Sequence, residues 1–410
     1  MGAEMPIFTV FVARMVSPEL HLAAWGSLVF PVSMVVEGPV IMLLAASTAL
    51  AVDSENYRRL RRYMLWMSGI LSIAHIAIAF TPLFDFVANT VLAVPAEVLE
   101  PGRIGLQIMT PWTAAIAWRR LNQGVLIRYG HSKEVAIGTM IRLVFLVGAL
   151  AWGLLFSGYS GIVVGAIAVA LGVTAEALAI HRAVTPVIRN ELAATPVAKN
   201  PICIGPFMKF YLPLAVTPLM TLFIQPAGAA GMSRMPETMA SLAAWPAVHG
   251  LIFLLRGSGF AFNEVVVALA GLPNGLIMLR QFARRLAGIT VGILALIGFS
   301  PLGALWFGTV SGLSPELTSL SSAAIMLAVL MPGYQVYQSL YQGLLVHHHQ
   351  TKGISEAVLL YVIIALAGLY AGSQWCQVAG IYWAIATFVC AGISQTVWLR
   401  VRTTRFLHTP

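Results

Sequence analysis

The chain has 410 residues, of which 59% are hydrophobic and 10% charged. A soluble domain carries about 25% charged residues, so this composition excludes one and leaves room for about a dozen membrane-crossing segments of roughly 20 residues. The net charge of +9 would suit a nucleic-acid partner, but the basic residues fall in alternate loops, which marks membrane topology and not a nucleic-acid-binding patch.

Apolar runs occur near residues 5–16, 21–51, 63–87, 104–127, 135–156, 161–181, 207–226, 239–272, 286–308, 321–346, 355–371 and 379–399. Backbone groups inside lipid must bond within their own segment, so each run is expected to be a helix. The first run spans about 18 Å at 1.5 Å per residue, short of a ~30 Å hydrocarbon core. The expectation is that the chain begins inside its first helix; a half-inserted helix is the alternative. It has no basic leader or small-residue cleavage pattern. The second, eighth and tenth runs are long enough to need tilt or a bend.

The connecting loops sort by charge. Arg58, Arg59, Arg61 and Arg62 follow the second run, and Arg128 and Lys133 the fourth. Arg182, Arg189, Lys199 and Lys209 follow the sixth; Arg280, Arg284 and Arg285 the eighth; Lys352 the tenth; and Arg400, Arg402 and Arg405 the last. The opposite side holds Arg14, Arg103 and Arg234 among Glu19, Glu97, Glu100, Glu237 and Glu316. The positive-inside rule then puts both termini in the cytoplasm. The expected location is the plasma (inner) membrane of a bacterium.

The chain also reads twice. Leu22-Ala23-Ala24-Trp25 returns as Leu242-Ala243-Ala244-Trp245. Gly38, Ala49-Leu50-Ala51 and Leu60-Arg61 return 219 positions later, as do Leu121, Gln123, Gly124, Leu126 and Lys133. Two copies of a helical unit in one membrane orientation is a common plan of secondary transporters. The expected fold is therefore an all-α integral membrane protein, about twelve transmembrane helices in two parallel six-helix repeats around a central cleft. The expected organisation is an N-terminal bundle over 1–181, a proline-rich cytoplasmic linker over 182–206, a C-terminal bundle over 207–400 and a tail over 401–410.

Charges inside these runs are costly at the bilayer centre and rarely face lipid, so they are the first candidates for function. Glu37 in the second run matches Arg256 in the eighth, an acid and a base at equivalent places. They read either as a bridge locking the halves or as cleft residues. Gly38-Pro39 and Gly257 with Gly259 follow them and are expected hinges. Asn263 and Glu264 lie two turns beyond Arg256 on roughly the same face. The fourth run carries Trp112, Trp118, Arg119, Arg120 and Gln123; the tenth mirrors it with Tyr334, Gln335, Tyr337, Gln338, Tyr341 and Gln342. An arginine-rich face opposite an aromatic and amide face suits a polar or anionic ligand, although Arg119 and Arg120 could instead reach the headgroups.

Other polar residues carry less. Glu176, Arg142 and His75 read as structural, and His249 is a weaker cavity candidate. The three cysteines and the run His347-His348-His349 have no metal-ligand spacing. No enzyme motif and no cofactor are expected, beyond a coupling ion, H+ or Na+.

Residues Arg14 to Val52, with Leu-Ala-Ala-Trp-Gly, Glu-Gly-Pro and Ser47-Thr48-Ala49-Leu50, resemble the first two helices of the multidrug/oligosaccharidyl-lipid/polysaccharide (MOP) exporter superfamily. That superfamily includes the multidrug and toxic-compound extrusion (MATE) transporters and the progressive ankylosis protein. Gln123 to His131 resembles the end of the fourth helix in the ankylosis-like members. The resemblance implies two bundles that rock between inward- and outward-open states, usually in ion-coupled antiport. Drug-exporting relatives commonly place an aspartate in helix 1, whereas residues 5–16 hold no acid; coupling would then fall to Glu37 or Glu264. The reading is a monomeric H+- or Na+-coupled antiporter exporting a small organic solute, an anion before a cationic drug. The alternative is a flippase for a lipid-linked saccharide. A receptor without transport fits less well, since buried charges at repeat-related positions argue against it.

Overall fold

The computed structural model describes residues 2–196, 202–348, 350 and 352–407, apart from the side chains of 217 and 405–407. Lys199 of the expected linker, His349 and the last three residues of the tail lie outside that set.

Among the described residues the chain is helical throughout and holds no strand. In chain order the helices are α1 Glu4–Val12, α2 Pro18–Leu50, α3 Ser54–Phe80, α4 Ala96–Ile108, α5 Pro111–Arg128, α6 Ser132–Ser157 and α7 Gly161–Leu192. They continue as α8 Ile204–Met232, α9 Thr238–Leu269, α10 Gly275–Gly298, α11 Pro315–His347, α12 Lys352–Trp375 and α13 Gly380–Leu407. Ten of these are long and apolar enough to cross a bilayer. The successive helices α4 and α5 make one more crossing, made less apolar by Arg119, Arg120, Asn122 and Gln123. The short α1, nine residues long, is the remaining piece of the twelve that the apolar runs imply.

The repeat holds helix by helix: α2 returns as α9, α3 as α10, α4 with α5 as α11, α6 as α12 and α7 as α13. The counterpart of α1 is the last part of α8, Ile224–Met232. Backbone details repeat as well. Ser17 and Glu237, each just before a long helix, both sit at positive φ (49° and 52°), and so do Ala93 and Gly312 (52° and 74°). The register, however, is not constant: Trp25 and Trp245 stand 220 apart, Gly38 and Gly257 only 219. The extra residue in the first copy falls where α2 turns into a π-helix, Trp25–Val29, whereas α9 stays α-helical. A π-bulge is how a helix absorbs a one-residue insertion.

Helix α2 breaks a second time. Residues Gly38–Val40 form a 3-10 turn, because Pro39 has no N–H to donate and its ring crowds the preceding turn. Its counterpart α9 runs unbroken through Gly257 and Gly259. There Ser258 keeps the N–H that proline lacks.

Two compact units emerge. One holds residues 15–17 and 27–226; the other holds Met1–Arg14, Pro18–Gly26 and Ala227–Pro410. Boundaries at 181 and 207 would put α1 with the first unit and all of α8 with the second, but packing exchanges these pieces. In the second unit Phe8 stacks on Trp25 at 4.2 Å. Arg14 donates to the carbonyls of Thr309 and Val310 at 2.8 and 2.9 Å. The Ser314 hydroxyl donates to Glu19 at 2.8 Å. In the first unit the early part of α8 lies against α2 and α3: Tyr211 donates to the carbonyl of Pro39 at 2.5 Å, and Phe207 packs 5.0 Å from Tyr63.

Among the close helix crossings, one pair falls at equivalent places in the two units. In the first, a Cβ on Gly124 of α5 would collide with Ser47 of α2. The Ser47 hydroxyl instead donates to the carbonyl of Leu121 at 2.8 Å. In the second, Gly343 of α11 meets Val266 of α9 in the same way. Close backbone approach at small residues is how helices associate where lipid removes the hydrophobic drive. Around that second crossing lies an apolar core of Phe262, Val266, Leu279, Val336, Leu340 and Leu344.

Candidate substrate-binding clusters

The first unit encloses a cluster of charges. Arg119 of α5 is 1% exposed and Glu176 of α7 is fully buried. They form an ion pair at 2.5 Å. Gln123, one turn after Arg119, donates to the other oxygen of Glu176 at 3.1 Å. Arg142 of α6 approaches Glu176 at 3.6 Å and lies 5.5 Å from the ring centroid of Trp112. The Trp112 indole in turn donates to the buried carboxylate of Glu37. Glu37, Trp112, Arg142, Glu176, Arg119 and Gln123 thus form one connected set drawn from four helices.

Arg120 stands beside this set and is treated differently. It is half-buried, and its Nε is buried without a hydrogen-bond partner. It makes no hydrogen bond or ion pair among the described residues, although it lies within electrostatic reach of Glu37, Glu176 and Arg142. Three arginines therefore face two glutamates, a surplus of one positive charge in a membrane-embedded unit. Sequence reasoning set Glu176 and Arg142 aside as structural, yet Glu176 is the hub. The signal was available: an intramembrane carboxylate must find a partner, and Arg119 and Arg142 lie in the other helices of the same repeat.

The second unit replaces the charged triad Arg119, Glu176 and Arg142 with neutral side chains. Gln338 occupies the place of Arg119, Gln395 that of Glu176 and Tyr361 that of Arg142. The Gln338 amide nitrogen lies 3.1 Å from the Gln395 amide oxygen, 3.1 Å from the Thr396 hydroxyl and 3.1 Å from the Gly392 carbonyl, which share its two N–H groups. Arg256 of α9, the counterpart of Glu37, donates to Gln335 at 2.6 Å and lies 5.5 Å from the Phe260 ring centroid. Nearby, Trp245, His249 and Phe253 stack in succession at 5.3 and 5.9 Å.

The remaining candidates fall outside these sets. Asn263 donates to the Ser339 carbonyl at 3.2 Å, a helix-to-helix tie. Glu264 is exposed on α9, and Gln342 is half-buried; neither makes a hydrogen bond or ion pair among the described residues. His75 is buried and satisfied by the Leu106 carbonyl at 3.1 Å. Among the described residues no group of three or more His, Cys, Asp or Glu could hold a metal ion.

With this geometry in hand, the chain can be set beside known proteins. No protein-family profile matches it, and no curated protein matches it in sequence. Solved structures do match. One is an inward-facing conformation of a multidrug resistance MATE family transporter of the MOP superfamily, with a TM-score of 0.78 at 15% identity, covering 100% of this chain and 96% of that one. The chain has the fold of the MOP-superfamily transporters. The lipid II flippase MurJ, in an inward closed conformation, matches with a TM-score of 0.72 at 13% identity over 98% of this chain and 86% of that one. A MOP-superfamily transporter from Pyrococcus furiosus, whose binding pocket is described as having reverse polarity, matches with a TM-score of 0.64 at 16% identity over 100% and 96%. Likeness at such identities concerns the fold; the side chains described above are this chain's own.

Proposed function

We propose that the protein is a secondary transporter that exports a small organic anion across a bacterial plasma membrane by alternating access, driven by H+ or Na+. The observation that carries the anion is Arg120: a half-buried guanidinium with no hydrogen bond or ion pair among the described residues, which is itself the surplus positive charge of the cluster. A cation left so in a membrane unit is costly unless something negative visits it. A guanidinium presents fixed donors that match carboxylate or phosphate oxygens.

Coupling is assigned to Glu37, the one cluster carboxylate whose hydrogen bond comes from a neutral indole and not from a guanidinium. An anion at Arg120 and an ionised Glu37 repel each other, so anion and proton favour each other's binding. For exchange, the form carrying both must then be the one that does not cross. Differential affinity between states is all that any such ligand can contribute.

The test is transport in proteoliposomes across a panel of organic anions and cationic dyes, with pH or sodium gradients, comparing wild type with Arg120→Gln and Glu37→Gln. Anion efflux lost in Arg120→Gln, and uncoupled from the gradient in Glu37→Gln, supports the reading. Cationic dye efflux indifferent to both substitutions overturns it. The flippase alternative is favoured by the likeness to MurJ over nearly the whole chain; lipid-linked pyrophosphate movement without soluble transport would select it.

A further inference from the structure

The second unit contains a cavity of about 560 Å³ lined by Arg280 and Arg284 of α10, Tyr337 and Tyr341 of α11, and Arg400 and Thr404 of α13, with Leu340 beneath. Each helix supplies two residues one turn apart, which places them on one face. No acidic side chain lines it. Arg284 and Arg400 are exposed and make no hydrogen bond or ion pair among the described residues. Arg402, by contrast, is engaged with Glu356 at 2.5 Å.

At the equivalent place in the other repeat an indole stands between the neighbouring side chains. There the equivalents of Arg280, Tyr337 and Arg400 are Arg61, Trp118 and His181. Arg61 lies 5.2 Å from the Trp118 ring centroid, and His181 packs against the same ring at 5.3 Å. The indole is a plug between a cation and an imidazole. In the second copy a tyrosine replaces the tryptophan, and arginines replace His181 and Leu65. The space opens and gains positive charge.

We propose that this cavity is a binding site for a phosphate ester, distinct from the buried cluster of the first unit. Three guanidiniums supply forked donors for a multiply charged tetrahedral oxyanion. Tyr337 and Tyr341 supply hydroxyls and ring faces. The volume exceeds that of a bare ion. The basic loops assign this end of the unit to the cytoplasm. Exposed Ile277, Met278 and Phe282 on α10 lie beside the arginines, so the ester could be an acidic phospholipid headgroup or a soluble phosphate ester; the recognising chemistry is shared.

Native mass spectrometry of the detergent-purified full chain separates the two sources. It is titrated with phosphatidylglycerol, with phosphatidylcholine as control, and with glycerol 3-phosphate. Saturable binding of phosphatidylglycerol alone identifies a headgroup site, and binding of glycerol 3-phosphate as well identifies a site for the free ester. Both support the proposal if Arg284→Gln and Arg400→Gln each weaken binding by about tenfold or more. The double variant Tyr337→Trp/Arg400→His rebuilds the plug of the first repeat and should abolish binding. Arg284 is exposed, so its variant is expected to fold and keeps the test valid if the double variant does not. No preference over phosphatidylcholine and no binding of glycerol 3-phosphate, or unchanged binding in the arginine variants, overturns it.

Discussion

Replacing Glu176 with glutamine removes the hub anion while leaving the shape of the site. Arg119, 1% exposed, then loses its 2.5 Å ion pair, and Arg142 loses its approach at 3.6 Å. Removing one partner of a buried pair typically costs about 3–5 kcal/mol, because the other charge stays buried and uncompensated. The second unit supplies the control, since Gln338 and Gln395 show that the same helix geometry accepts an amide pair at 3.1 Å. Arg119→Gln/Glu176→Gln should therefore recover more than half of the loss, although Arg142 still loses its approach to the Glu176 carboxylate. Adding Arg142→Tyr, after Tyr361, should recover more. The implied coupling between positions 119 and 176 is about 2 kcal/mol or more, the size seen for residues sharing one network. The assay is an unfolding titration with sodium dodecyl sulfate in mixed micelles, followed by tryptophan fluorescence. If Glu176→Gln is neutral, or the double variant is no more stable than the single, the buried-charge argument fails.

Further outcomes follow from the same geometry. Glu37→Gln should destabilise less than Glu176→Gln, because an amide oxygen can still accept from the Trp112 indole and no guanidinium loses a direct ion pair, while removing the dependence of efflux on a pH or sodium gradient; a fully coupled variant would move coupling elsewhere, with Glu264 next. Gly124→Val and Gly343→Val should each destabilise by about 1–3 kcal/mol or more through overpacking of a helix crossing, read in the same unfolding titration, and equal stability to wild type would contradict the packing. Pro39→Ala restores an N–H and should let α2 run helical through 38–40; if the 3-10 turn is a hinge, turnover falls with substrate affinity kept, and unchanged turnover would remove its role. Arg14→Gln should loosen the tie between the N-terminal segment and the carbonyls of Thr309 and Val310, seen as faster proteolysis of residues 1–17; equal protection would show that Phe8 and Trp25 hold it alone.

The helices, their number, the repeat and the intramembrane charges were legible in the sequence because each depends on local chemistry. An apolar run in lipid must satisfy its own backbone, and Pro39 lacks the N–H that a continuous helix needs. The 219 register identified Gln123 with Gln342 and Glu37 with Arg256 before any coordinates. The change from 220 to 219 between Trp25 and Gly38 marks an extra residue, but only the structure shows that α2 takes it up as a π-helix.

What a register cannot supply is contact. It states which residues are equivalent, not which touch. Glu37 finds Trp112 and Arg256 finds Gln335, each within its own unit. Glu176, which looked structural in isolation, gathers Arg119, Arg142 and Gln123 from two other helices. The exchange of α1 and the early part of α8 between the units is invisible in composition, since both pieces are equally apolar. The 560 Å³ cavity depends on whether an indole or a phenol stands between two cations on neighbouring helices. The sequence determined the helices and their pairing into copies, through the bilayer's demand on every backbone group; only tertiary packing decided which buried charges are neutralised, which remain open, and where space is left for a ligand.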